Sequence, residues 1–523
     1  MAAQDPTEGV RDYETALAKI GTLIFSRKRV DGTSWGDDFN SMSTCVQHLD
    51  MEEDLRKLSI IHVAGTKGKG STCAFAESIL REAGCSTGLF TSPHLVDIRE
   101  RFRINGEPVA KEIFVLRFWE VWDRLQAKVT PEFPMPTYFR FLTLLGLHIF
   151  IQQKVQAVVL EVGLGGRWDA TNVVPAPKVC GVSSLGYDHM ELLGHTLREI
   201  AGEKAGIFKA GVPAFTSPQE EEAMLSLQAR ADQLQIPLEV VTPITEYSTD
   251  PASGLQTVEL GLAGEHQKLN AALAVKLCRV WAQREPSAPE AMKRAEGAIA
   301  EYKVLPALYL QGLKKCRWPG RAQVLPDVGE GGSGGRLTFY LDGAHTDDSV
   351  QSCATWFVEA TRRADEADSL AAAPAQRYLF FNCMEDRDPH RLLQPLANLQ
   401  RERSLNLTHA LFVPPDSGMG LKPAAGEKEI RWQQNLQRTW ESMLQANSGE
   451  RKRKAEASTD SESLSTSVPA SSTSTVMPSL GAAIGWLRQQ AQDNPKQRMQ
   501  VLVTGSLYLV GDVLRNLRRG VPL

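Results

Sequence analysis

The chain has 523 residues, with 58 Lys plus Arg against 62 Asp plus Glu and a formal net charge of −4. That balance leaves no basic footprint for nucleic acid, and the length suffices for two or more domains with real cores. No apolar run is long enough to span a bilayer; the longest candidate, residues 139–151, contains Arg140 and His148 and reads as a buried helix.

Residues 1–15 are mildly acidic and lack both an apolar signal core and an arginine-rich amphipathic pattern, so a cytoplasmic protein is expected. An organelle form made from a longer precursor is the alternative. The first buried strand is expected at 59–64. It feeds Gly65-Thr66-Lys67-Gly68-Lys69-Gly70-Ser71-Thr72, and a helix is expected from 73 to 82. A strand, a glycine-rich turn and a helix make a phosphate site. The glycines let backbone N–H groups point inward, the helix N-terminus adds partial positive charge, and a lysine adds a full one. The usual pattern places Lys directly after the second outer glycine, whereas here Lys69 precedes Gly70 and Ser71 follows it.

Helices are expected at 113–127 and 138–153, and further strands at 157–162, 179–183 and 212–216. This alternation predicts a parallel sheet covered by helices, with ligands beyond the carboxyl ends of the strands. Glu161 closes one such strand just before Gly163-Leu164-Gly165-Gly166, where a carboxylate suits a magnesium ion. Asp188-His189 follows the next strand. Lys204 sits in the apolar context Ala201-Gly202-Glu203-Lys204-Ala205-Gly206-Ile207, which marks it as ion-paired or chemically special.

A second alternation begins near Arg317, with strands expected at 338–341, 378–382, 410–413 and 500–504. The boundary is placed within 303–318, giving domains 1–315 and 316–523, the first with an N-terminal helical extension. Residues 329–335 read as a flexible loop. Residues 446–478, rich in Ser, Thr and charge, read as a disordered insertion; its Arg451-Lys452-Arg453-Lys454 run is read as a solvated loop rather than a nuclear address. Arg317-Trp318-Pro319-Gly320-Arg321, which places arginine beside an aromatic, Asp342-Gly343-Ala344-His345 after one strand, and Thr504-Gly505-Ser506-Leu507 after another are polar turns that suit binding. The eight cysteines include no C-x-x-C pair and read as reduced core residues of an intracellular protein.

Taken in order, these segments resemble the folylpolyglutamate synthase family of Mur-ligase-like, ATP-dependent amide-bond formers. The carriers are the loop from Gly65 to Thr72, Thr91-Ser92-Pro93-His94-Leu95, Arg99-Glu100-Arg101, Glu161 to Gly166, Asp188-His189 and Glu203-Lys204-Ala205-Gly206. Gly264-Glu265-His266-Gln267 with Asn270, Trp318-Pro319-Gly320-Arg321, Asp342 to His345 and Thr504 to Leu507 complete them. The displaced lysine of the loop is a family trait.

The resemblance implies a P-loop-containing ATPase domain and a smaller Rossmann-like α/β domain, with the reaction in the cleft between them. It implies ATP and Mg2+, with a monovalent cation such as K+ as an addition, and folates and L-glutamate as substrates of a monomer that binds no nucleic acid and does not insert in membranes. Gly68, Lys69, Gly70 and Ser71 would cradle phosphates, with Arg321 and Asp342 as nucleotide contacts. Ser92, Glu161 and His189 would hold magnesium, as would Lys204 once carbamylated. Ser92, Pro93 and His94 would shape the folate site, and Asp342, His345 and Ser506 would meet the incoming glutamate. Lys69, His189, Lys204 and His345 are the candidate catalytic residues. The chain departs from bacterial members at Thr346, where they usually carry Asn, and in the insertion at 446–478. Two alternatives stay open: dihydrofolate synthase, joining glutamate to dihydropteroate, and an ATP-binding switch that ligates nothing.

Overall fold

A computed structural model describes residues 9–24, 35–247, 256–293, 305–328, 333–367, 375–416, 427–445 and 473–517. The chain divides into two compact units, Met1–Arg317 and Trp318–Leu523. The Arg451–Lys454 run and part of the loop at 329–335 lie outside the described residues.

Among the described residues the main sheet of the first unit has eight strands: β1 Ile60–Ala64, β2 Thr87–Phe90, β3 Phe102–Ile104, β4 Glu107–Pro108, β5 Ala157–Glu161, β6 Val179–Val182, β7 Ala214–Thr216 and β8 Leu238–Val240. Their spatial order is β4-β3-β2-β5-β1-β6-β7-β8. From β2 to β8 all pairs are parallel, and every residue of β1, β5 and β6 is buried. Burial on both faces is why these strands appear in the sequence as continuous apolar runs without alternation. β3 and β4 form an antiparallel hairpin on the edge, a departure from the purely parallel sheet expected. Its turn is Asn105-Gly106, both at positive φ, and Asn-Gly is the residue pair that a two-residue hairpin turn favours.

Two layers cover this sheet. One face buries Ile60, Phe90, Val158 and Leu160 against the helices Tyr13–Gly21, Lys111–Gln126 and Tyr138–Gln152. The last of these is the apolar stretch set aside above as non-spanning, and no described helix is long and apolar enough to cross a membrane. Elsewhere the helix Lys69–Glu82 packs against both His266–Arg284 and Ala307–Lys315. A two-stranded ribbon, β9 Glu246–Tyr247 with β10 Gln256–Thr257, stands apart.

The second unit is a six-stranded sheet of β11 Gln323–Pro326, β12 Leu337–Leu341, β13 Gln376–Phe381, β14 Leu407–Phe412, β15 Thr473–Val476 and β16 Met499–Thr504, in the order β11-β12-β16-β13-β14-β15. Only β11 runs antiparallel to its neighbour. Tyr340, Leu379, Phe381, Ala410, Phe412 and Leu502 share one core with residues of the helices Asp347–Ala367, Pro389–Arg401 and Glu427–Gln445. The disordered insertion expected over 446–478 is corrected at its end. Residues 446–472 lie outside the described residues, but Thr473-Ser474-Thr475-Val476 pairs in parallel with His409–Phe412 as the edge strand β15. Its β-branched residues suit a pleated strand, a signal masked by Ser/Thr composition. All eight cysteines are free and buried.

Candidate active site

The phosphate loop leaves β1 at Ala64. Gly65 has φ +149° and Gly68 has φ +84°. A Cβ on Gly65 would lie 1.9 Å from Ser183 Oγ, and one on Gly68 2.2 Å from Asn270 Oδ1, so both conformation and space demand glycine. The loop is strapped to the end of β6: the amides of Thr66 and Lys67 both donate to the Ser184 carbonyl at 3.0 Å, and Ser183 Oγ donates to the Lys67 carbonyl at 2.7 Å. Gly68 caps the fourteen-residue helix Lys69–Glu82, whose N-terminus faces this turn. Lys69 Nζ donates to the Thr66 carbonyl at 3.4 Å, folding the ammonium back over the loop. Gln267 and Asn270, from the helix His266–Arg284, support the other side: Gln267 Nε2 donates to Ser71 Oγ at 3.4 Å and Asn270 Nδ2 to Gln267 Oε1 at 2.9 Å.

Two neighbouring strand ends bring oxygen donors to this loop. In the parallel register Glu161 stands beside Val63, and Leu160 beside Phe90. Glu161 is 4 % exposed, and its Oε2 accepts from the Ser92 amide at 3.0 Å. Ser92 and Glu161, 69 residues apart, are thus brought together through the Ser92 backbone amide. His94 is held by Arg101, whose Nε donates to His94 Nδ1 at 2.9 Å.

The turn after Glu161 rests on residues that the sequence did not single out. Asp169 Oδ2 accepts from the Leu164 amide at 2.9 Å, and Oδ1 accepts from Thr171 N and Oγ1. Thr171 Oγ1 lies 2.9 Å from His62 Nε2 in the central strand. Burial raises the Asp169 pKa; for His62, burial first and then the Lys209 charge lower it to about 3, so the ring is neutral. Gly166 lies against Glu203 and Lys204: a Cβ there would come 2.9 Å from both carbonyl oxygens. The sequence marked both glycine motifs but not that one packs on the other.

That packing delivers Lys204, which is 4 % exposed and donates from Nζ to the Gly65 carbonyl at 2.8 Å. Burial, reinforced by the charge of Lys69 and opposed by Asp188 and Asp169, lowers its pKa from 10.5 to about 7. The Asp188-His189 turn is thus electrostatically part of the same site. His189 has φ +49°, starts a short helix and is half-exposed, with Nε2 3.7 Å from Asp188 Oδ2. Among the described residues no group of three or more His, Cys, Asp or Glu is arranged to hold a metal alone. One buried carboxylate beside a phosphate loop nevertheless fits magnesium, which takes one or two carboxylates and completes its shell with phosphates and water.

In the second unit three turns are laced together. Asp342 follows β12; its Oδ2 accepts from the Ala322 amide at 2.8 Å and its Oδ1 from the Ala344 amide at 3.0 Å. The Gly343 amide donates to Gly320 and the Gly505 amide to Ala344, each at 3.0 Å. Arg321, Asp342, His345 and Ser506 therefore sit on adjoining turns at the carboxyl ends of β12 and β16. His345 Nδ1 lies 2.9 Å from the Gly343 carbonyl. A carbonyl only accepts, so Nδ1 carries a proton; in the neutral form of the ring that leaves Nε2 as the acceptor nitrogen. Ser506 is 5 % exposed and its Oγ accepts from the Tyr508 amide at 3.2 Å, capping the helix Leu507–Leu517.

No protein-family model matches the chain. Among curated proteins it is 44 % identical to folylpolyglutamate synthase of Arabidopsis thaliana over 543 residues, covering 99 % of this chain and 90 % of that protein. It is 42 % identical to the mitochondrial folylpolyglutamate synthase of Homo sapiens over 423 residues, covering 78 % of this chain and 69 % of that one. Among solved structures, Mycobacterium tuberculosis folylpolyglutamate synthase complexed with ADP and AMPPCP superposes with a TM-score of 0.68 at 20 % identity, covering 97 % of this chain and 99 % of that one. A two-unit α/β fold, a phosphate loop bordered by Glu161 and Lys204, and this level of identity along nearly the whole chain establish that it belongs to the folylpolyglutamate synthase family.

Proposed function

We propose that the chain performs its family's reaction, the ATP-dependent joining of L-glutamate to the γ-carboxylate of a folate, with the residues in the following roles. A carboxylate is a poor acylating agent because its leaving group would be oxide. Transfer of the ATP γ-phosphoryl group to that carboxylate gives an acyl phosphate, the glutamate amine attacks its carbonyl carbon, and phosphate leaves with the C–O bonding pair. The charge on the transferring group calls for fixed positive partners. Lys69, the amides of Gly68, Gly70 and Ser71, and the helix N-terminus are assigned to that task, together with Arg321. The nucleotide reading is supported by the ADP and AMPPCP complex of the Mycobacterium tuberculosis neighbour.

Glu161, Ser92 and His189 are assigned to magnesium, with Lys204 joining them as a carbamate; the ion would neutralise phosphate charge. Ser92, Pro93 and His94 are assigned to the folate. Asp342, whose two oxygens hold the Ala322 and Ala344 amides, is assigned to shaping the nucleotide and glutamate contacts. His345, through its acceptor Nε2, and Ser506 are assigned to the glutamate amine and its carboxylates. Cytoplasmic action by a monomer is the accompanying proposal; the relatives include proteins named as mitochondrial and others without that word.

The observation that carries the mechanism is the meeting of Glu161, Ser92 and Lys204 around the Gly65–Lys69 turn. Turnover assays with a reduced folate and with dihydropteroate as rival acceptors test it. Glutamate addition to the folate, with ADP and phosphate released, is expected. ATP hydrolysis without amide formation would overturn the reading in favour of a switch. Addition to dihydropteroate alone would overturn it in favour of dihydrofolate synthesis, which the names of the relatives do not favour.

A further inference from the structure

The three charged residues Arg99-Glu100-Arg101 read from the sequence as a motif without a task. In the structure all three turn inward on the segment just upstream. Glu100 accepts from three consecutive backbone amides: Leu95 on Oε2 at 2.9 Å, and Val96 and Asp97 on Oε1 at 3.0 and 2.9 Å. Arg101 donates to His94, and its carbonyl accepts from the Thr91 amide at 3.2 Å. Arg99 closes on Asp97, whose Oδ1 also accepts from Tyr13 Oη at 2.8 Å in the first helix. At the other end of the segment, Glu161 takes the Ser92 amide. Arg99 and Arg101 are 8 % and 7 % exposed.

Residues 91–97 are thus stretched between two carboxylates, Glu161 at the phosphate loop and Glu100 beyond the folate loop. We propose that Glu100 is a positioning residue for the folate acceptor: Glu161 already anchors Ser92, and by gathering the amides of 95–97 Glu100 fixes where Pro93 and His94 stand. Hydrogen bonds from N–H to an ionised carboxylate are roughly twice as strong as neutral ones, and a carboxylate offers enough lone pairs for all three amides. A glutamine of the same shape has one acceptor oxygen and turns an NH2 group toward amide donors. Glu100→Gln therefore releases part of the segment without removing bulk, and Glu100→Ala releases all of it. The inference rests on the reading of 91–95 as the folate loop.

Three measurements separate the layers. Turnover of a folate by the native enzyme tests the functional reading, and a rise in folate KM in His94→Ala tests the folate loop. With both in hand, Glu100→Gln is expected to raise folate KM by about tenfold or more, since small misplacements around a reacting centre are costly. The KM values for ATP and glutamate should stay within about twofold, as the phosphate loop keeps its own supports. Hydrogen exchange at 91–97 should quicken in the same variant, with Glu100→Ala larger on both readouts wherever it folds. An unchanged folate KM in folded Glu100→Gln overturns the proposal, whatever the exchange shows. So does an equal rise in the KM values for folate and ATP, which marks general loosening.

Discussion

Lys204 offers the sharpest test of the site. Its amine is buried against the Gly65 carbonyl, and burial, with help from Lys69, lowers its pKa from 10.5 to about 7. At pH 8 a lysine of pKa 10.5 is about 0.3 % neutral, whereas one of pKa about 7 is about 90 % neutral, so the fold raises the nucleophilic form about 300-fold. A neutral amine adds to CO2, forming an N–C bond and releasing one proton. A carbamate there would retain one N–H for Gly65 and would offer two oxygens to a magnesium ion, with the Lys69 charge favouring the anion. Enzyme equilibrated with ¹³C-bicarbonate at pH 8 should show a carbamate carbon signal that Lys204→Met lacks. Activity lost in Lys204→Ala should return in part with formate or acetate. Without CO2 the free amine makes its own signature: because its folded pKa is lowered, the unfolded chain binds more protons between pH about 7 and 10.5, and stability rises with pH across that window. The slope should reach up to about 1.4 kcal/mol per pH unit and vanish in Lys204→Met. Absence of the carbon signal together with wild-type turnover in Lys204→Met would refute the reasoning.

Four further outcomes are expected. Lys69→Ala should lose about 10²- to 10³-fold in kcat with an unchanged melting temperature, because the side chain folds over the loop and not into the core; full turnover would shift the role to Lys67. Gly68→Ala should lower stability in urea titration by at least about 1–2 kcal/mol and abolish turnover, since it adds a left-handed side chain 2.2 Å from Asn270 Oδ1. Glu161→Gln keeps an acceptor for the Ser92 amide but loses the charge, so the magnesium needed for half-maximal activity should rise while folate KM holds; an unaltered magnesium requirement would remove Glu161 from the metal. His345→Ala should raise the KM for glutamate with ATP affinity little changed, and the opposite pattern would move His345 to the nucleotide.

What the sequence discloses follows from how locally each feature is encoded. The phosphate loop is written in one unbroken stretch, and its flanking strand and helix differ in period, so it was legible at once. β2 was not: Thr87-Gly88-Leu89-Phe90 is four residues with a glycine, too short to stand out, yet its place beside β5 is what carries Ser92 to Glu161. The edge hairpin is encoded locally in Asn105-Gly106, a turn pair that an alternation of strands and helices does not call for. Asp169, Thr171 and His62 could not have been joined from the sequence, since their link crosses 109 positions and His62 is hidden within an apolar strand. The second-unit residues were legible as polar turns after strands, but the hydrogen bonds that lace those turns arise only from the strand order that sets β12 beside β16.

The buried thiols give the protein a built-in reporter of its own breathing. Burial pushes the Cys45, Cys180 and Cys383 thiols up to about 12, so in the closed fold they are neither accessible nor ionised. An alkylating reagent can then mark a cysteine only when the chain around it opens. Cys45, Cys73, Cys85, Cys180, Cys278 and Cys316 belong to the first unit, and Cys353 and Cys383 to the second. Peptide mapping after timed labelling would therefore time the opening of each unit separately, with no engineered label. Adding nucleotide should slow the marking of Cys73, four residues past Lys69, before it slows that of Cys353 or Cys383.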